Sequence, residues 1–127
     1  MTMDESTLKT QETEHEEMTV DYANNVRFEP SVWDLKLTFG ELSAGTNTVE
    51  WHTSITIPWM QAKLMIYYLQ ANVSAYEMNS GKIHIPDGVI PPEWPPIVPP
   101  EQSNEPKAQE TLEMLTKLRK QFLDSLK

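Results

Sequence analysis

Metal or proton chemistry in this 127-residue sequence would have to begin at its three histidines, His15, His52 and His84. A metal centre needs convergent ligands, usually at close spacing or on one helix face. None of the three has such a companion. His15 lies in an acidic stretch, His52 among the polar positions of an alternating segment, and His84 beside a proline-rich run. They read as surface or structural histidines, and no metal or other cofactor is expected. Covalent catalysis needs a nucleophile activated by a base. The sequence has no cysteine, no Gly-x-Ser-x-Gly and no glycine-rich phosphate loop, and only four glycines in all. Asp34, Glu41, Glu50 and Glu77 are isolated carboxylates, and the pair Glu16-Glu17 sits where no packed structure can hold its geometry. Enzymatic activity is not expected.

Composition narrows the classes further. The formal charge is −9, which disfavours charge-driven binding to nucleic acid or anionic lipid, because both need neutralising Lys and Arg. Without cysteine there are no disulfides and no thiolate metal sites. The opening residues are acidic and polar, unlike a secretory leader. No apolar run approaches the roughly 20 residues that span a bilayer. A soluble, cytoplasmic chain is expected, with no membrane partner.

Residues 1–19 carry six carboxylates against Lys9 and no periodic apolar positions, so they read as a disordered acidic tail. Alternation begins near Val20. Tyr22, Asn24, Val26 and Phe28 share one side of a first strand, and Trp33, Leu35, Leu37 and Phe39 share one side of a second. Gly40–Asn47 has the composition of a loop. Val49, Trp51, Thr53, Ile55 and Ile57 then share one side of a third strand. Short connections make this an antiparallel meander. Lys82–Pro86 is a candidate fourth strand. Trp33, Phe39 and Trp51 read as core aromatics; the alternative is a sheet face on which single-stranded nucleic acid stacks.

Pro58 suits the first turn of a helix, and Trp59–Met78 follows with helical spacing. Ala62, Ile66, Leu69, Val73 and Tyr76 form one apolar stripe, and Met60, Leu64, Tyr67, Ala71 and Ala75 form a second. A helix lying on a sheet and facing water needs only one. The second stripe, at Met60, Leu64, Tyr67 and Ala71, is therefore the expected oligomer interface. Asn79-Ser80-Gly81 supplies the stop, with Gly81 suited to a left-handed cap.

Eight of the ten prolines lie between Pro86 and Pro106, so 86–106 reads as an extended linker. Its P-x-x-P spacings, Pro92 to Pro95 and Pro96 to Pro99, fit partner grooves, although a stiff spacer is the plainer reading. Trp94 is expected to pack on the domain or a partner. Residues 107–127 return to helical spacing, with Leu112, Leu115, Leu118, Phe122 and Leu126 in one stripe. Trp94, Leu115, Leu118 and Phe122 are the candidate partner-binding residues.

Two resemblances add to this. The run Asp21-Tyr22-Ala23-Asn24-Asn25-Val26-Arg27-Phe28, then Trp33 to Phe39-Gly40, Ile55-Thr56-Ile57-Pro58, and Tyr76-Glu77 before Gly81 resembles a family of small bacterial and archaeal proteins known only as a domain of unknown function. It covers about residues 20–83 and implies no activity and no site residues. A weaker likeness, in element order and charge alone, is to the export chaperone SecB.

The expected fold is α+β: an antiparallel three- to four-stranded sheet packed against one long helix, with a proline-rich linker and a C-terminal amphipathic helix. The expected divisions are 1–19, 20–85, 86–106 and 107–127. A core of about 60–70 residues is marginal alone, and association is one remedy. The leading expectation is a non-enzymatic, self-associating protein-binding module, chaperone-like, forming a dimer or tetramer and holding a protein client. The alternatives are a single-stranded nucleic-acid binder using the sheet face and a small enzyme with an unrecognised site.

Overall fold

Hydrophobic alternation and a few turn residues decide where this chain reverses. The computed structural model describes residues 10–95 and 106–127. The elements are β1 (Asn25–Pro30), β2 (Asp34–Ser43), β3 (Thr48–Pro58), α1 (Trp59–Ser80), a 3-10 turn at Asp87–Val89 and α2 (Pro106–Ser125). The fold is α+β, with a three-stranded antiparallel sheet in the order β1-β2-β3. The chain divides into two compact units that part between Leu69 and Gln70.

In the first unit, side-chain oxygen fixes the turns. Ser31 Oγ accepts from the N–H groups of Trp33 and Asp34 at 3.1 and 3.0 Å and reaches Asp34 Oδ1 at 2.9 Å, closing the β1–β2 turn. Trp59 Nε1 donates to the Ser31 carbonyl at 3.0 Å, which ties the start of α1 to the same turn. At the β2–β3 turn Asn47 takes φ +54°, and its N–H donates to Ser43 O at 2.9 Å. Asparagine tolerates that left-handed geometry better than most residues.

The first strand is shorter than its alternation implies, because β1 begins only at Asn25. The expected loop from Gly40 shrinks to residues 44–47, since β2 runs on to Ser43. The third strand departs most. Phe39 pairs with Thr53 and Gly40 pairs with Trp51, leaving His52 unopposed as a β-bulge. One extra residue reverses the side of everything before it. Thr53, Ile55 and Ile57 therefore share a face with Leu37, while Val49 and Trp51 turn to the opposite face, against the single-faced strand that their spacing predicts.

The second unit is organised by its caps. Gly81 sits at φ +97°, where a Cβ is strained, and its N–H donates to Glu77 O at 3.0 Å. Glu77 Oε2 then accepts the Ile83 N–H at 2.8 Å. Residues 82–86 do not form the expected fourth strand. The start of the proline-rich segment is not extended throughout, because the 3-10 turn interrupts it. Pro106 opens α2, where its missing N–H costs no hydrogen bond. The half-buried positions of α2 are Ala108, Leu112, Leu115, Arg119 and Leu123, and Leu126 just past its end is half-buried too. Arg119 Nε donates to Pro91 O at 3.1 Å, and the Lys82 ammonium meets the Lys127 carbonyl.

Residues 10–24 carry no helix or strand. The remainder of the expected tail, residues 1–9, and the second P-x-x-P, within 96–105, lie outside the described residues. Among the described residues, no helix is long and apolar enough to cross a membrane.

Candidate functional site

The sheet has one apolar face. Across its width Phe28 stands beside Leu37 and Leu37 beside Ile55; on either side run Val26–Phe39–Thr53 and Pro30–Leu35–Ile57. Side chains in such rows touch and form the unit of sheet stability. Leu37, at the centre, is 5% exposed and is the one buried hydrophobic side chain among the described residues. Val26, Phe28 and Ile55 around it remain exposed. The first turns of α1 bring Ala62, Met65, Ile66 and Leu69 over this face without closing on it. An apolar groove of about 530 Å³ is left between them, and Lys63 is its one charged lining residue. Such a surface favours contact with apolar groups at roughly 25 cal/mol for each Å² removed from water.

The opposite face is polar and braced. Arg27 lies over the Trp51 ring, 4.7 Å from its centroid. Its Nε donates to Glu29 Oε1 at 2.9 Å, and Lys36 Nζ is 4.0 Å from Glu29 Oε2. One carboxylate thus serves both cations. Thr38, itself buried, shares a 3.1 Å hydrogen bond with Ser54. Trp51 reaches this face because its strand neighbour is Gly40. A Cβ there would meet Glu50 O and Trp51 Cε3 at 2.7 Å.

The three histidines stay apart in role. The His52 ring bridges Tyr22 O at 3.0 Å, Thr53 Oγ1 at 2.8 Å and Asp21 Oδ2 at 3.2 Å, clasping the approach to β1 against the bulge. His15 Nδ1 accepts the Glu17 N–H at 3.0 Å within a local turn. His84 lines a cleft of about 360 Å³ with Lys82, Asp87 and Leu126. Among the described residues no group of three or more His, Asp or Glu side chains could hold a metal ion.

The positions singled out for association lie on the outward side of α1. Met60 is 73% exposed, Tyr67 67% and Leu64 45%, and Ala71 is also exposed. Trp94 is 51% exposed. The expected α2 stripe divides. Leu115 turns inward with Leu112 and Leu126, while Leu118 and Phe122 face outward with Met114. The stripe splits because Arg119, not Leu118, takes the inward position beside Pro91.

A family model described as a protein of unknown function (DUF3467) matches residues 2–85, about two thirds of the chain. The chain belongs to the DUF3467 family. No curated protein and no solved structure matches it, and the likeness to SecB finds no support. The residues carrying the DUF3467 resemblance have structural tasks. Asn24 donates its N–H to Gly40 O at 3.0 Å, and its Oδ1 accepts the Leu42 N–H at 2.7 Å, stitching the chain to the end of β2. Asp21 Oδ1 accepts the Tyr22 N–H at 2.8 Å. Gly40 admits Trp51, and Glu77 with Gly81 closes α1. These parts of the DUF3467 domain build a platform; its surface chemistry is the apolar groove and the open helix.

The Arg27–Trp51 brace was not among the sequence expectations. A glycine within an alternating run marks a bulge or a close approach. Gly40 carries that signal, although Ser43, Gly45 and Asn47 after it give the segment the composition of a loop.

Proposed function

We propose that this chain is a non-enzymatic, self-associating, protein-binding module of chaperone-like character that works in the cytoplasm. The observation that carries the reading is the open apolar face: among the described residues Leu37 is the one buried hydrophobic side chain, while Phe28, Ile55, Ile66 and Leu69 stay exposed around a groove of about 530 Å³. A domain of about 60 residues buries only about 60% of the surface that its unfolded chain exposes and is marginal alone. A second copy covers part of the apolar area, and what remains accepts the apolar side chains of an unfolded client. The charge of −9 keeps such a surface dispersed in water.

The test uses the full chain and one client in two states. Saturable binding of a permanently unfolded protein, but not its native form, is expected, and Ile66→Asp in the groove should weaken it at least ~10-fold. Equal binding of both states, or of neither, overturns the reading.

One observation favours a second reading, a single-stranded nucleic-acid surface: Trp51, Arg27 and Lys36 share the polar face. Glu29 on both cations works against it. Salt-dependent retention of an oligonucleotide, lost in Trp51→Ala, would favour this alternative.

A further inference from the structure

We propose that α1 pairs with α1 of a second copy, antiparallel, along Met60, Leu64, Tyr67, Ala71, Ser74 and Met78. This rests on the self-association proposed above and adds the partner element and its direction. The six positions follow one another at steps of four, three, four, three and four. That alternation keeps one seam facing a partner helix. The seam lies on the opposite side of α1 from Ala62, Met65, Ile66 and Leu69, which line the groove over the sheet. Pairing through it therefore leaves the groove free.

Side-chain size sets the direction. The first half of the seam is large, with Leu64 and Tyr67, and the second half is small, with Ala71 and Ser74. A parallel pair sets Tyr67 against Tyr67 and Ala71 against Ala71, crowding one layer and hollowing the next. Interiors tolerate neither. In the antiparallel pair, symmetric about Leu69, Tyr67 faces the second copy's Ala71, Leu64 faces its Ser74 and Met60 faces its Met78. Every layer then holds one large and one small group, or two methionines at the ends.

Charge gives the same direction. Lys63 and Glu77 are the two charged residues of α1, and they stand fourteen residues apart, two full repeats of the seam. They flank it on the same side. Antiparallel pairing brings each Lys63 beside the second copy's Glu77, twice by symmetry, whereas parallel pairing sets the two copies' charged flanks on opposite sides of the seam and leaves Lys63 without that carboxylate. Among the described residues Lys63 has no carboxylate partner of its own.

The sequence lacks cysteine, so introduced thiols report without background. Met60→Cys and Met78→Cys chains are prepared singly, mixed, and treated with a short bismaleimide. In the antiparallel pair the two copies' residues 60 lie about 27 Å apart along the axis, from the helical rise of 1.5 Å. Neither single variant should cross-link, and the mixture should form a 60–78 linked species. Self-linking of Met60→Cys alone overturns the inference while leaving self-association standing. No linking in any sample whose mass is still oligomeric also overturns the inference alone. A strictly monomeric wild-type chain overturns both. As a second measurement, Ala71→Tyr should weaken association at least ~10-fold by overpacking, and adding Tyr67→Ala should restore it. A doubly substituted chain no better than Ala71→Tyr contradicts the pairing.

Discussion

α1 and α2 are 22 and 20 residues long. α1 carries two charged side chains, Lys63 and Glu77; α2 carries Lys107, Glu110, Glu113, Lys117, Arg119, Lys120 and Asp124. The apolar side of α2 is half-buried within its own unit, with Arg119 bonded to Pro91. The large side chains of α1 remain exposed on both sides, from Met60 and Tyr67 to Ile66 and Tyr76. Charge distribution makes the difference. A helix with a charged back has somewhere to meet water, and a helix without one does not. Similar lengths and similar helical spacing therefore conceal different demands on the surroundings.

The comparison breaks most directly at the outward stripe of α1. Leu64→Glu with Tyr67→Glu should lower the association constant at least ~100-fold, since a buried seam would then hold unpaired charge. Sedimentation should show monomer, and an unchanged mass would mean that the stripe is not an interface. Gly40→Val separates that effect from damage to the platform. It forces a Cβ to within 2.7 Å of Glu50 O and Trp51 Cε3 and should cost about 2–3 kcal/mol in urea unfolding without altering either helix. Leu115→Ala tests the α2 side. It should cost about 1–2 kcal/mol, through lost packing at a half-buried site, with the solution mass unchanged. Gly81→Ala strains the left-handed end of α1 by about 1 kcal/mol, readable as a lower melting temperature. Removing residues 1–18 should shift unfolding by less than about 0.5 kcal/mol; loss of the cooperative melt would show that the tail is structural.

Sequence pattern carried well wherever local chemistry decides the outcome. The span of α1 was legible to within two residues, and the Gly81 cap was legible outright, because periodicity and a left-handed stop are properties of short stretches. The meander was legible from three alternating runs and their connections. Long-range geometry was not. Whether Trp51 faces Leu37 or Arg27 depends on a register shift between β2 and β3, which no single strand records. The division of the α2 stripe, with Arg119 inward and Leu118 outward, depends on where the chain near Pro91 passes. The candidate residues on α1 stand out in the sequence as an excess of apolar surface, and Met60, Leu64 and Tyr67 are exposed in the structure. The groove beside them was not foreseen, because it arises where α1 departs from the sheet.

The bulge at His52 is a single residue long, so the two-sided character of β3 hangs on one codon. Deleting it would restore plain alternation, swing Trp51 and Val49 to the side of Leu37, strip Arg27 of its ring and release the approach to β1 from its clasp. A lone in-frame loss at this point would exchange the wetted and greasy sides of half a strand at once, a change that no substitution elsewhere in β3 could imitate.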